Sequence, residues 1–212
     1  TYTLGTGTNE ITTGTANDVI YLTASGGTDD VNLSTSNTGS ITIHNFQVGA
    51  SADDIELSLV GLKAGTTATD YVNFDDAASV GTDTVAYATH TLGGGIIDFD
   101  DADFVNANVL VIDGNLADNT ALIAAVDTAS TDALTTGSAV SDGDAILVLY
   151  DNGADSFLVS LELNDADAGG GAGFADGDTL ATGDFTAVTL ITFIGITDCT
   201  TIVAGNFNTI VT

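Results

Sequence analysis

From Thr1 to about Leu62 the chain is cut into short runs, "TYTLG", "NEITT", "DVIYLT", "DVNLS", "SITIHNF" and "DIELSLVGL", each closed by Gly, Asn or Asp. Runs of this length with β-branched and aromatic residues between turn formers specify strands at close spacing. Apolar residues fall at every second position, as in Val19 and Tyr21 or Ile41 and Ile43, so one face of each strand can be buried and the other left in water. Strands too short to stand alone must stack. The expectation is a mostly β fold, a β-sandwich or an irregular β-roll or solenoid.

The rest of the chain continues in β style. The middle offers "TDYVNF", "DTVAYATHTL", "GIIDFDDADF" and "ANVLVIDG"; the C-terminal part offers "DAILVLYD", "DSFLVSLEL", "DFTAVTLITFIGI" and "CTTIVAGNFNTIVT". "DNGAD" predicts a tight hairpin turn, because Asn-Gly supplies positive φ angles. One short helix is expected near 117–129, where Leu116, Ala121, Leu122, Ala125 and Val126 suit helical spacing and Asp118 or Asn119 can cap the first turn. The long Gly and Asp stretch "NDADAGGGAGFADGDTLATGD" is expected to be functional or ordered by a cation. With no proline or serine-rich linker, residues 1–212 are expected to form a single β-rich body with sub-regions 1–62, 63–140 and 141–212.

Charge narrows the function. Thirty Asp and Glu face one lysine, Lys63, and no arginine, for a formal net charge of −29. Apolar residues at 44% keep this from being a disordered composition. Nucleic acid and anionic lipid are excluded as ordinary partners, since both are held through Lys and Arg. Membrane insertion is not expected either: no leader opens the chain at Thr1, and no apolar stretch is long enough to span a bilayer. Lys63 is expected to be solvated at a turn rather than cross-linked. What remains to neutralise the acid is salt or a divalent cation held by oxygen ligands, calcium first.

The pattern Gly-x-Asp-x-apolar recurs as "GTDDV" (Gly27 to Val31), "GTDTV" (Gly81 to Val85) and "GADSF" (Gly153 to Phe157), with weaker forms "ANDVI" and "GTNEI". Glycine lets the backbone turn so that carbonyls and carboxylate converge, and the apolar residue two places on starts a strand facing the core. The candidate calcium ligands are Asn17, Asp18, Asp29, Asp30, Asp53, Asp54, Asp83, Asp98, Asp100, Asp155, Asp176 and Asp178. Strand alternation in "DFDDAD" would set Asp98 and Asp100 on one side and Phe99 on the other. For any one pair the competing reading is a solvated loop carboxylate.

"SGGTDDVNL" and "TGTANDVIY" resemble degenerate copies of the nonapeptide Gly-Gly-x-Gly-x-Asp-x-Leu-x of the repeats-in-toxin family, calcium-binding proteins secreted by bacterial type I systems. "SITIHNFQVGASADDIELSLVGL" and the stretch from "GDAILVLYDNGAD" through "LATGDF" are similar to phrases that follow the repeats in that family. The resemblance implies a parallel β-roll with calcium between its turns, and relatives among surface-layer and extracellular matrix proteins. The strict copies at Gly27, Gly81 and Gly153 lie 54 and 72 residues apart instead of following one another every nine, and Asp18 and Asp29 are eleven apart, so a few irregular sites are expected instead of a long row.

No catalytic motif stands out. His44 in "TIHNF" and His90 in "YATHTL" are expected to be partly buried strand residues, and Cys199 a small buried hydrophobe. HExxH, GxSxG, phosphate-loop and dinucleotide signatures are missing, and with 7% aromatics and no Trp there are few platforms for sugars. The expected function is therefore structural, not enzymatic: a secreted extracellular or cell-surface protein that assembles with itself into a filament or surface layer, stabilised by calcium. Its uncharged ends, "TYTL" and "NFNTIVT", are expected to exchange strands between copies. The alternative is a calcium-binding adhesin or the C-terminal secretion module of a larger type I secreted protein, with cell-surface polysaccharide as a further partner. A third reading is an acidic surface kept soluble in high salt.

Overall fold

A computed structural model describes residues 1–24, 27–33, 39–49, 52–57, 72–73, 76–79, 87–101, 104, 107, 109–137, 140, 143–164 and 173–208. The fold is mostly β with one α-helix among these residues. Six short strands open the chain: β1 (Tyr2–Thr3), β2 (Asn9–Thr12), β3 (Asp18–Tyr21), β4 (Asp29–Leu33), β5 (Ile41–His44) and β6 (Asp54–Leu57). They alternate between two sheets. β1, β3 and β5 pair in parallel in one, and β2, β4 and β6 pair in parallel in the other, so the chain winds as a two-sheet roll.

The strand entrances explain the roll. Ile11, Ile20, Val31 and Ile55 all point inward, each two places after an Asn or Asp, and are at most 7% exposed. In β3 Asp18 and Ile20 point inward, and Val19 and Tyr21 outward, so the alternation holds with the residue two places after Asp18 in the core. Successive turns approach closely where glycine permits it. A Cβ on Gly27 would lie 2.3 Å from the carbonyl carbon and oxygen of Gly7, and one on Gly39 would lie 2.5 Å from the carbonyl carbon of Ala16.

The chain continues through a hairpin of β7 (Val72–Asn73) and β8 (Asp76–Ser79), then β9 (Tyr87–Thr91), β10 (Ile97–Asp98) and β11 (Val109–Asn115). Helix α1 (Asn119–Val126) follows, then β12 (Leu134–Thr135), β13 (Ala145–Asp151), β14 (Ser156–Leu163), β15 (Phe185–Ile194) and β16 (Phe207–Asn208). The larger sheet has eight strands in the order β1-β3-β5-β15-β14-β13-β11-β9. β15 lies parallel on β5, and β16 lies parallel on β6, so the C-terminal part adds a further turn to the roll. β14 is antiparallel to both its neighbours, and the other seven strands run one way.

The middle of this sheet is buried on both faces. Val109, Val111, Leu147 and Leu149 face the roll interior, while Leu110, Ile112, Ile146 and Val148 face a second core with Phe99, Leu122, Val126 and Leu134. All seven residues of β13 are buried, which is why its text is a continuous apolar run. The register of β14 on β15 shifts between Leu158 and Val159, and Leu190 and Ile191 both enter the roll core at that bulge.

The expected helix is present but shorter than 117–129. Asp118 caps it, accepting the Ala121 N–H at 2.9 Å. It ends at Val126 because the Asp127 carboxylate turns to the backbone of Ala129 and Thr182. The "DNGAD" hairpin joins β13 to β14 with Gly153 at φ +81°. Of the long Gly and Asp stretch, 173–184 runs over β12, with bridges between Thr135 and Thr179 and between Val140 and Phe174. Lys63 and Asp83 lie outside the described residues.

Candidate cation-binding carboxylates

The recurring motif places one Asn or Asp at the same corner of each turn of the roll. Asn9 lies opposite Asp29 in register, and Asp29 and Asp53 precede the paired Asp30 and Asp54. Their side chains form a ladder. The Asn9 N–H donates to Asp29 Oδ1 at 3.1 Å, and the Asp29 N–H donates to Asp53 Oδ1 at 3.0 Å. Asp53 Oδ2 accepts the Gln47 N–H at 2.8 Å, and the Asn206 amide closes the row on the Asp53 main-chain oxygen at 2.8 Å. The two asparagines do the same job at the two ends. Asn9 Nδ2 reaches Gly5 O and Gly7 O, and Asn206 Nδ2 reaches Gln47 O and Gly49 O.

Asp29 and Asp53 are buried at 1% and 0% exposure. Burial pushes the Asp53 carboxyl above its ordinary value; the Gln47 and Asp29 N–H groups pull it back in part, and the charges of Asp29 and Asp30 add to the rise. In a chain almost without Lys or Arg, backbone N–H groups are the positive partners available, and charged acceptors make the stronger bonds.

The other candidates follow the same rule. Asn17 Oδ1 accepts the Ser40 N–H at 3.0 Å and Asp18 Oδ2 the Gly14 N–H at 3.3 Å. Asp155 Oδ1 accepts the Gly195 N–H at 2.7 Å, and Asp178 Oδ2 the Ala175 N–H at 2.7 Å. Asp176 is exposed beside Gly177. Asp98 and Asp100 do not share a strand: β10 ends at Asp98, whose Oδ1 turns over to the Asp100 N–H at 3.0 Å. Phe99 is fully buried between them.

Asp30 and Asp54 occupy a different place, the outer face of the four-stranded sheet. Glu10, Asp30 and Asp54 stand opposite one another on neighbouring parallel strands, with Glu56 two residues further on. Asn32 donates to Glu10 Oε1 at 2.8 Å, and its own Oδ1 has no partner among the described residues. Like charges one strand apart repel. The row spaces its carboxylates along the sheet, and among the described residues no three His, Cys, Asp or Glu side chains gather about one point as a metal site.

Residues that the motif did not mark complete the picture. Asn206 has no sequence signal, whereas Asn9 in "GTNEI" is a position-for-position copy of Asp29 in "GTDDV". His90 is buried against Asp132, Nε2 to Oδ1 at 2.8 Å, and the Gly93 N–H meets both oxygens of that carboxylate. Burial works to raise Asp132, but the His90 bond, the Gly93 and Gly95 N–H groups and the His90 charge outweigh it and hold the carboxyl below its ordinary value. His44 is half-buried, its ring stacked on Tyr21 at 4.3 Å. Cys199 is fully buried, as expected; its thiol donates to Ile112 O at 3.3 Å, and burial with the neighbouring Asp151 pushes its pKa up.

A shallow cavity of about 300 Å³ opens at the start of α1. Its wall carries Asp118, Asn119, Phe157 and Thr189, and the Tyr150 hydroxyl donates to Asn119 Oδ1 at 2.9 Å. Burial and the Asp118 charge push that hydroxyl up to about 12. No family model, curated protein or solved structure matches the chain.

Proposed function

We propose that this chain is a structural subunit of an extracellular filament or surface layer, secreted, assembling with itself, and stabilised by calcium on its acidic face. The observation that carries the reading is the place of β1 and β2 at the ends of their sheets. Among the described residues β1 is the end strand of the eight-stranded sheet and β2 the end strand of the four-stranded one, so this turn presents two sheet edges to which further strands could add in parallel. The N-terminal "TYTL" and the C-terminal "NFN" pair within their own chain here, in β1 and β16. Strand exchange through them would replace these bonds with the same bonds from a neighbour.

The row Glu10, Asp30 and Asp54 supports calcium as the neutralising ion. Hard oxygen ligands suit it, and the described residues offer no basic side chain to that face. The resemblance to repeats-in-toxin sequences and to type I secreted surface proteins points the same way. The test is negative-stain microscopy of the purified chain with and without a calcium chelator at matched ionic strength. Polymers that dissolve on chelation are expected. Polymers indifferent to chelation would remove the metal and keep the structural role, and dispersed particles throughout would sink the assembly reading.

The cavity beside α1 favours a second reading, a calcium-binding adhesin or secretion module that takes a ligand such as cell-surface polysaccharide. Amide, carboxylate and hydroxyl groups beside the Phe157 ring are the set a neutral sugar would use. Saturable glycan binding by a dispersed monomer would mark that case.

A further inference from the structure

We propose that copies of this chain join head to tail through the two ends of the eight-stranded sheet, β1 of one copy adding in parallel to β9 of the next. The proposal rests on the assembly reading and names its joint. Strand polarity is its first support. β1 and β9 end the same sheet and run in the same direction, since β14, the one reversed strand, is antiparallel to both β13 and β15. A β1-on-β9 contact therefore repeats the parallel pairing already made by β1 with β3 and by β9 with β11. Two different edges in one orientation make a heterologous contact, which propagates as a filament unless the rotation between copies closes a ring.

The backbone groups face the right way. The Leu4 N–H bonds to Tyr21 O and the Leu92 N–H to Asp113 O, so strand alternation turns the N–H groups of Thr3 on one edge and of Thr89 and Thr91 on the other away from the sheet. All three threonines are exposed. Charge is the second support. In a chain of 30 acidic residues, neither 1–9 nor 84–97 contains one, so the edges can meet without bringing carboxylates together. Neither strand carries Pro or Lys, two residues that commonly guard an edge. The apolar Tyr2 side chain on β1 is 38% exposed.

The joint fixes a dimension. Eight strands at ~4.8 Å each advance the filament by about 38 Å per subunit. The experiment pairs electron microscopy of the full chain with sedimentation of two variants, Thr3→Pro and Thr89→Pro, each removing an outward N–H and no bond within the sheet; Thr3→Asp and Thr89→Asp serve if a proline variant loses the circular dichroism of the fold. The wild-type chain is expected to give filaments repeating at about 38 Å. Each variant alone is expected to raise the concentration for half-assembly more than tenfold, and an equimolar mixture of the two to stop at dimers, because Thr3→Pro keeps its β9 edge and Thr89→Pro its β1 edge. Filaments that persist in both variants, a mixture that stays monomeric, or dimers of Thr89→Pro alone would overturn this joint and leave assembly through another. A wild-type chain that never polymerises would overturn the assembly reading and the joint together.

Discussion

The roll and the middle of the large sheet are joined by β15, yet they are held by different forces. The opening strands of the roll have two to five residues, β2 to β5 bury one face, and their turns are stitched by Asn9, Asp29, Asp53 and Asn206 onto backbone N–H and C=O groups. β13 and β14, with seven and eight residues, are clamped between two apolar layers and need no such ladder. The difference teaches how a chain with a single basic residue can carry 30 acids. Where apolar area is scarce, buried carboxylates bond from one turn to the next; where it is plentiful, they bond backbone N–H groups only at the strand ends, Asp151 those of Gly153 and Cys199 and Asp155 that of Gly195.

The largest effect is expected where the two regions meet. Phe193 on β15 is fully buried in the roll core and packs on Phe46 at 4.9 Å. Phe193→Ala should cost about 3–5 kcal/mol, from lost transfer energy plus the cavity left behind. Chemical denaturation followed by both circular dichroism and tyrosine fluorescence checks it. One displaced transition would mean that roll and sheet unfold together, and a shift confined to one probe would break them into separate units.

Next comes the ladder. Asp53→Ala leaves the Asp29 and Gln47 N–H groups without acceptors, at about 1–3 kcal/mol for each orphaned group. Asp53→Asn keeps one acceptor oxygen and should lose less. The pH dependence sets the two regions against each other. Asp53, raised by burial, binds its proton more readily folded than unfolded, so its contribution improves as pH falls from that raised value toward 3.8. Asp132, held low beside His90, stabilises above 3.8 and loses that contribution as pH falls through its folded value. Stability against pH for Asp53→Asn and Asp132→Asn should therefore differ from the parent with opposite slopes. Equal slopes would sink the contrast.

A smaller loss is expected from Gly27→Ala. The new Cβ would press on the Gly7 peptide, and backbone cannot swing aside as a side chain can, so the first turn must lift from the second at about 1–3 kcal/mol. Hydrogen exchange should show the Leu4 and Thr13 amides, which bond across that gap, opening first. Protection unchanged at both would show that the roll tolerates a wider spacing.

The sequence carried the β-rich class, the helix and its Asp118 cap, the Asn-Gly hairpin and the inward Ile11, Ile20 and Val31 two places after Asn9, Asp18 and Asp29, because these depend on neighbours a few residues apart. It did not carry the ladder. Asp29 and Asp53 look like solvated loop residues until turns 20 and 24 residues long bring N–H groups against them, and Asn206 arrives from 153 positions away. In "DFDDAD" a local Asx turn at Asp98 outcompeted the alternation.

The smallest expected effect sharpens the contrast from the sheet side. Asp118 accepts the Ala121 N–H from outside the apolar layer, and the helix it caps is anchored by Leu122 and Val126, both fully buried. Asp118→Ala should therefore cost about 1 kcal/mol, the usual worth of a cap, without releasing the helix. It also removes the charge that helps raise the Tyr150 hydroxyl, so the Tyr150 titration should move down from about 12 toward the ordinary tyrosine value. A spectrophotometric titration of the variant against the parent reads the charge effect, and thermal unfolding reads the cap. If this one exposed carboxylate instead costs as much as buried Asp53, then the apolar layers do not suffice on their own, and acid-to-backbone bonding carries the sheet half as it carries the roll.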